Sequence, residues 1–304
     1  MTSPALIPAV APPGTGRFAT LTFERRVEAP VSTLWQVWIA PAARALWASP
    51  APEVTVEIVE TALGPGGCEV SLCRAPGHAE VRAEVRWLHL DPGRCAVNSE
   101  RVSSEGKTDA AALVTADFSG DDSASRLVLT IQLSALAAQM QDGYRQGYAA
   151  GIANLAEVAE RTMILQRRIK APPRVVWGAW MNPATLPQWW GPDGFSCRTA
   201  RIDLRAGGEW VFDMIGPDGT VYPNHHRYGR IEPGRALDYT LHWGENGPKH
   251  ADAWASFDDL GGETEVTLGM VFATGEEFRQ ARGFGAVELG LQTLGKLARF
   301  VGVG

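Results

Sequence analysis

The chain has 304 residues, 45% hydrophobic and 20% charged, with a net charge of −6. A length of this order suits about two globular domains, each large enough to bury a core. No apolar run approaches the ~18 residues of a membrane span, and no Lys/Arg cluster offers the concentrated positive charge that a phosphate backbone requires, so neither membrane insertion nor a nucleic-acid partner is expected.

Residues 1–17 are rich in Pro and Ala, lack a basic n-region and are interrupted by Pro4, Pro8, Pro12 and Pro13. They read as a disordered tail and not a signal peptide, with cytoplasmic residence as the expectation. An extended stretch over 18–28 follows, ended by Ala29-Pro30. Helical spacing then puts Leu34, Trp35 and Trp38 on one side of a helix over 31–39, and Pro41 suits the first turn of a second short helix ending near Trp47. Strand-like segments at 54–61, 68–73, 80–89, 95–102, 111–118 and 126–133 are separated by turns such as Asp91-Pro92-Gly93, which predicts an antiparallel meander. A long helix over 138–160 closes this half, with Tyr144, Tyr148, Gly151, Leu155 and Val158 on the face that lies on the sheet.

The plan then repeats. Phe23-Glu24-Arg25-Arg26-Val27-Glu28-Ala29-Pro30 returns as Leu165-Gln166-Arg167-Arg168-Ile169-Lys170-Ala171-Pro172, an offset of 142 (165 minus 23). At that offset Trp35 falls on Trp177, Trp38 on Trp180, Pro41 on Pro183 and Trp47 on Trp189. Gly66-Gly67 answers Gly207-Gly208, and Gly151 to Leu155 answers Gly290 to Leu294. This period exceeds the roughly 20–50 residues of solenoid repeats, so each copy closes its own core. The domains are expected at 18–161 and 162–304, the second with a strand over 163–170, short helices over 174–181 and 184–189, and a terminal helix over 276–301. Trp35 and Trp177 are expected as equivalent buried anchors.

The second half resembles the bacterial domains similar to the C-terminal domain of the activator of the heat-shock-protein-90 ATPase, within the wider superfamily of START, polyketide cyclase and Bet v 1-like proteins. Val176-Trp177, Asn182-Pro183, Trp189-Trp190-Gly191-Pro192, Asp203 to Gly208, Gly216-Pro217-Asp218-Gly219 and Glu232-Pro233 carry the resemblance. The first half shares Pro30, Trp35, Pro41, Trp47 and Gly66-Gly67 but lacks the Asp-Leu-Arg lead-in and the Trp-Trp-Gly-Pro run. The resemblance implies an α+β chain of two tandem helix-grip domains, each a curved antiparallel sheet wrapped around a long C-terminal helix with two short helices. It also implies a cavity between sheet and helix that takes an apolar small molecule, a role suited to a concave apolar site.

Alternation places Trp210, Phe212 and Met214 on one face of a strand, and Leu237, Tyr239, Leu241 and Trp243 on one face of another. With Trp190 and Tyr228, the residues Trp210, Phe212, Met214, Tyr239, Leu241 and Trp243 are the expected ligand-binding set, lining a cavity rather than a solid core. His225 and His226, adjacent on a strand, point to opposite faces and cannot chelate one ion together. His226 and Tyr228 are the candidates for a cyclase- or hydrolase-like alternative, although no defined catalytic motif supports a reaction. Gly143, Gly147 and Gly151 recur along one helix, which suggests close packing on the sheet, with room for a ligand as the functional alternative. Gly207-Gly208 reads as a bulge or turn and not a phosphate cradle. Cys68, Cys73, Cys95 and Cys197 form no CxxC and read as buried free thiols. No metal and no cofactor is called for. The expected function is binding of a hydrophobic or aromatic small molecule, mainly in the second domain. A co-chaperone-like interaction module is a further alternative, with a chaperone partner disfavoured because no separate chaperone-binding domain is visible.

Overall fold

The computed structural model describes residues 18–136 and 140–302. The expected tail over 1–17 and the first two residues of the helix expected over 138–160 lie outside them. Contacts divide the chain into two compact units, the first built on 18–24, 49–117 and 127–150, the second on 25–48, 118–126 and 151 onward.

The first sheet has seven antiparallel strands: β1 (Phe18–Val27), β2 (Thr55–Thr61), β3 (Cys68–Arg74), β4 (Val81–Asp91), β5 (Cys95–Ser104), β6 (Lys107–Gly120) and β7 (Ser125–Ala135). Their order is β1-β7-β6-β5-β4-β3-β2, a meander closed by the first strand beside the last. Helices α1 (Val31–Ile39) and α2 (Pro41–Trp47) separate β1 from β2, and α3 (Met140–Glu160) follows β7. Every strand anticipated from the alternation is present, most of them longer at one end or both.

The second sheet repeats this order as β8-β14-β13-β12-β11-β10-β9. Its strands are β8 (Thr162–Ile169), β9 (Ser196–Ile202), β10 (Glu209–Ile215), β11 (Val221–Glu232), β12 (Ala236–His242), β13 (Lys249–Asp259) and β14 (Thr264–Phe272), with α4 (Pro173–Trp180) and α5 (Leu186–Trp189) after β8. Strand β8 pairs with β14, so it completes the second sheet and not the first. The expected single helix over 276–301 is two helices, α6 (Gly275–Gly283) and α7 (Ala286–Val301). Gly285 stands between them at φ 85°, a left-handed conformation that glycine adopts without the Cβ penalty and that interrupts the helical ladder.

The duplication reaches individual hydrogen bonds. Gly66 N donates to Trp87 O and Trp87 N to Gly67 O, while Gly207 N donates to Tyr228 O and Tyr228 N to Gly208 O. Gly66 and Gly207 take positive φ. A Cβ on Gly67 would lie 2.0 Å from Ala62 O, and one on Gly208 would lie 2.3 Å from Asp203 O. The first glycine of each pair supplies the turn and the second the close approach. In each copy an indole ties the short helices together, Trp47 Nε1 donating to Val37 O at 2.9 Å and Trp189 Nε1 to Ala179 O at 3.1 Å. A hydroxyl likewise holds the chain just before α1 and α4: Ser125 Oγ donates to Ala29 O and Thr264 Oγ1 to Ala171 O.

Trp35 and Trp177 both meet a phenylalanine edge-on, Phe118 and Phe257, each at 5.3 Å. They are not equal anchors, because Trp35 is 5% exposed whereas Trp177 is only half-buried. Of the three helical glycines, only Gly151 meets a neighbour, Trp47, within 4 Å of an added Cβ; Gly143 and Gly147 face open space, which removes close packing as their explanation. Burial decides the cost of removing an indole. Trp35→Ala is expected to lose about 3–5 kcal/mol and Trp177→Ala about 1–2 kcal/mol, read by chemical denaturation; equal losses would contradict the assigned burial.

Candidate functional site

The second copy gathers its rings on the sheet face that shares a core with Leu294 and Leu297 of α7. Trp210 and Phe212, two apart on β10, stack at 3.7 Å and 15°. Trp190, the residue after α5, meets Trp210 at 5.8 Å and His226 at 5.4 Å. His226 is also met by Trp210, Phe212 and Tyr239 at 5.5, 5.1 and 5.0 Å, and Tyr228 lies 5.9 Å from Tyr239. The register explains the gathering: Trp210 is opposite His226, His226 opposite Leu241, and Tyr228 opposite Tyr239. Trp210, Phe212, Tyr228, Tyr239 and Leu241 are buried; Trp190 and Met214 are half-buried members of the same core. The rings expected to line a cavity are thus in contact with one another.

Trp243 is not brought to this group. It is 53% exposed and stacks on His250 at 4.2 Å. Strand β12 ends at His242 and its register shifts between Leu241 and His242, so the alternation that links Leu237, Tyr239 and Leu241 does not extend to residue 243.

The polar groups of the cluster differ in their partners: Trp210 Nε1 donates to Thr199 Oγ1 at 3.1 Å. His226 Nε2 is buried without a hydrogen bond, and among the described residues no side-chain hydrogen bond reaches the Tyr228 or Tyr239 phenol. Burial, with smaller contributions from His250, His225 and His242, lowers the His226 pKa to about 3. Burial raises both phenols above the ordinary tyrosine range. His226 is therefore a neutral imidazole in an apolar wall.

His225 points to the other face, where its Nε2 lies 2.7 Å from Glu209 Oε2 and its ring 5.7 Å from His242. Among the described residues no three His, Cys, Asp or Glu side chains converge to hold a metal ion. The four cysteines are free and half-buried, and burial pushes the Cys197 thiol up to about 12.

The first copy fills the equivalent positions differently. Glu69 is opposite Val85, Val85 opposite Glu100, and Trp87 opposite Asn98, so Glu69, Val85, Asn98 and Glu100 stand where the second copy has Trp210, His226, Tyr239 and Leu241. Tyr148 Oη donates to Glu100 Oε2 at 3.0 Å and stacks on Phe23. A depression of about 1050 Å3 on this sheet is lined by Glu69, Val70, Val85, Glu100, Arg101 and Leu113, among others. The first copy's divergence is thus a change from rings to carboxylates and amides inside the same frame.

The family described as Activator of Hsp90 ATPase homolog 1-like protein matches twice, over residues 28–160 and 170–302. The chain belongs to this family. Among solved structures, it is similar to a protein from Arthrobacter aurescens (21% identity, 48% of this chain and 89% of that one, TM-score 0.45). It is also similar to Ms6760 from Mycobacterium smegmatis (20% identity, 48% and 94%, TM-score 0.44). The di-domain ARO/CYC BexL from the BE-7585A biosynthetic pathway spans 92% of this chain and 98% of its own at 16% identity and a TM-score of 0.37. No curated protein matches. No helix among the described residues is long and apolar enough to cross a membrane.

The buried histidines make stability depend on pH. His226 and His250 have folded-state pKa values of about 3 and about 4, below the ~6.5 of an unfolded chain. Between these limits the unfolded state binds more protons, so stability is full above about pH 6.5 and falls as the pH drops towards 4, by up to about 1.4 kcal/mol per unit for each histidine. Denaturation midpoints of the wild type are expected to fall between about pH 7 and about pH 5, and less steeply in His226→Phe. Identical slopes in the two proteins would show that His226 is not held neutral.

Proposed function

We propose that the second copy binds a small, flat, largely apolar molecule that carries a hydrogen-bonding group, between β10–β12 and α7. Family membership supports the placement, since proteins of this fold commonly take hydrophobic ligands between sheet and terminal helix. The observation that carries the reading is His226 Nε2, buried without a hydrogen bond inside a wall of rings to which the buried Tyr228 and Tyr239 side chains also belong. A buried polar group left unpaired costs about 1–3 kcal/mol, and a ligand hydroxyl or carbonyl placed against His226 Nε2 recovers it. The rings supply apolar, polarisable faces for a flat molecule. Because they touch one another, entry requires them to part.

The same environment weighs against the cyclase- or hydrolase-like alternative. An imidazole whose protonation is suppressed to about pH 3 accepts or donates a hydrogen bond readily but is a poor proton acceptor near neutral pH. Its role in this reading is recognition.

Two probes of nearly equal shape test it: naphthalene and 2-naphthol, titrated against tryptophan emission of the whole protein. A site built around an unpaired polar group is expected to favour 2-naphthol by about tenfold or more. His226→Phe and Tyr239→Phe are each expected to shrink that preference while naphthalene binding persists. No quenching by either probe, or a preference that survives both substitutions, would overturn the proposal.

A further inference from the structure

A second pocket lies beside α5 and the end of α7 and takes no part in the interior site. It is a depression of about 550 Å3 whose lining includes Trp189, Phe195 and Phe300 as apolar walls and Asp193, Lys296 and Arg299 as charges. Arg299 Nη2 forms an ion pair with Asp193 Oδ1. Lys296 has no such partner among the described residues; its Nζ donates to the carbonyls of Phe195 at 2.9 Å and Pro192 at 3.4 Å. An ammonium has three donors, so one remains after these two carbonyls. Two cations and one carboxylate leave an uncompensated positive charge on a half-buried side chain. Desolvation, the largest influence, lowers the Lys296 pKa.

The repeat gives an internal contrast. Continuing the alignment of Gly151–Leu155 with Gly290–Leu294 sets Glu157 opposite Lys296 and Glu160 opposite Arg299. Both positions reverse their charge between the copies. The loop that supplies the Lys296 carbonyls, Gly191 to Phe195, begins in the Trp-Trp-Gly-Pro run that the first copy lacks. The pocket is therefore a feature of the second copy and not of the shared frame.

We propose that this pocket binds a small organic anion, its carboxylate or sulfonate on Lys296 with Arg299 nearby and its flat apolar body on Phe195 and Phe300. Phe195 and Phe300 are only half-buried and remain open to contact. A partly desolvated cation attracts an anion more strongly than one in bulk water, while salt still screens the approach. The inference goes beyond the interior site and stands without it.

The test uses two dyes with one ring framework, 1-anilinonaphthalene-8-sulfonate and the uncharged N-phenyl-1-naphthylamine, titrated against the whole protein. Wild type is expected to bind the sulfonate with an affinity that falls as salt rises from about 20 to about 500 mM. Lys296→Gln is expected to weaken the sulfonate about tenfold and leave the uncharged dye unchanged. Because Lys296 also holds the loop carbonyls, Lys296→Arg serves as the control and should retain most of the sulfonate affinity. Equal loss of both dyes in Lys296→Gln, no loss of the sulfonate, or sulfonate affinity indifferent to salt would each overturn the proposal, as would failure of the wild type to bind the sulfonate. His226→Phe is expected to leave the sulfonate response intact, which separates this pocket from the interior one.

Discussion

The interior of the second copy is governed by the removal of His226 Nε2 from water without a protein partner to replace it. Such a group destabilises a core in proportion to its desolvation, and the surrounding rings supply the offset. Trp180, Trp189, Trp190, Trp210 and Phe212 run as a chain of ring contacts from the short helices to β10, one strand in from the edge of the sheet. Aromatic pairs of this kind add about 0.5–1.5 kcal/mol each beyond their burial. The chain also keeps water from the imidazole, which holds it neutral. Packing and chemistry are one problem here, because the wall that stabilises the domain leaves the His226 ring nitrogen unsatisfied.

Comparison of the copies separates what the frame needs from what the site needs. The Gly-Gly corner, the indole that ties the short helices and the hydroxyl that holds the chain before them recur with the same partners and nearly the same distances. The residues facing inward do not recur. Glu69, Asn98 and Glu100 occupy positions where the second copy has Trp210, Tyr239 and Leu241, and the charges near the end of the terminal helix are reversed. A duplicated frame has kept its backbone bonds and changed the chemistry of its interior.

Much of this was legible in the sequence. Alternation located the strands, proline and glycine the turns, and the repeat the two sheets, since each rests on local stereochemistry. The face shared by Trp210, Phe212, Tyr239 and Leu241 followed from the period of a strand. Contact between side chains did not, because alternation fixes a direction and not the distance to what stands opposite. Trp243 was misplaced when that period was carried past the end of β12 and across a register shift. The break in the terminal helix is not legible from helical spacing, because it comes from the positive φ that Gly285 adopts. Lys296 belongs to no motif and no alternation; aligning it with Glu157 is the signal that marks it.

The most direct test of the account is the protonation state of His226, read from the nitrogen chemical shifts of its imidazole in the folded protein labelled with 15N. The account predicts a neutral ring that does not titrate between about pH 7.5 and about pH 5, and a shift confined to one ring nitrogen when 2-naphthol is added. An imidazole that titrates near its ordinary value of about 6.5, or nitrogens unmoved by saturating 2-naphthol, would contradict it.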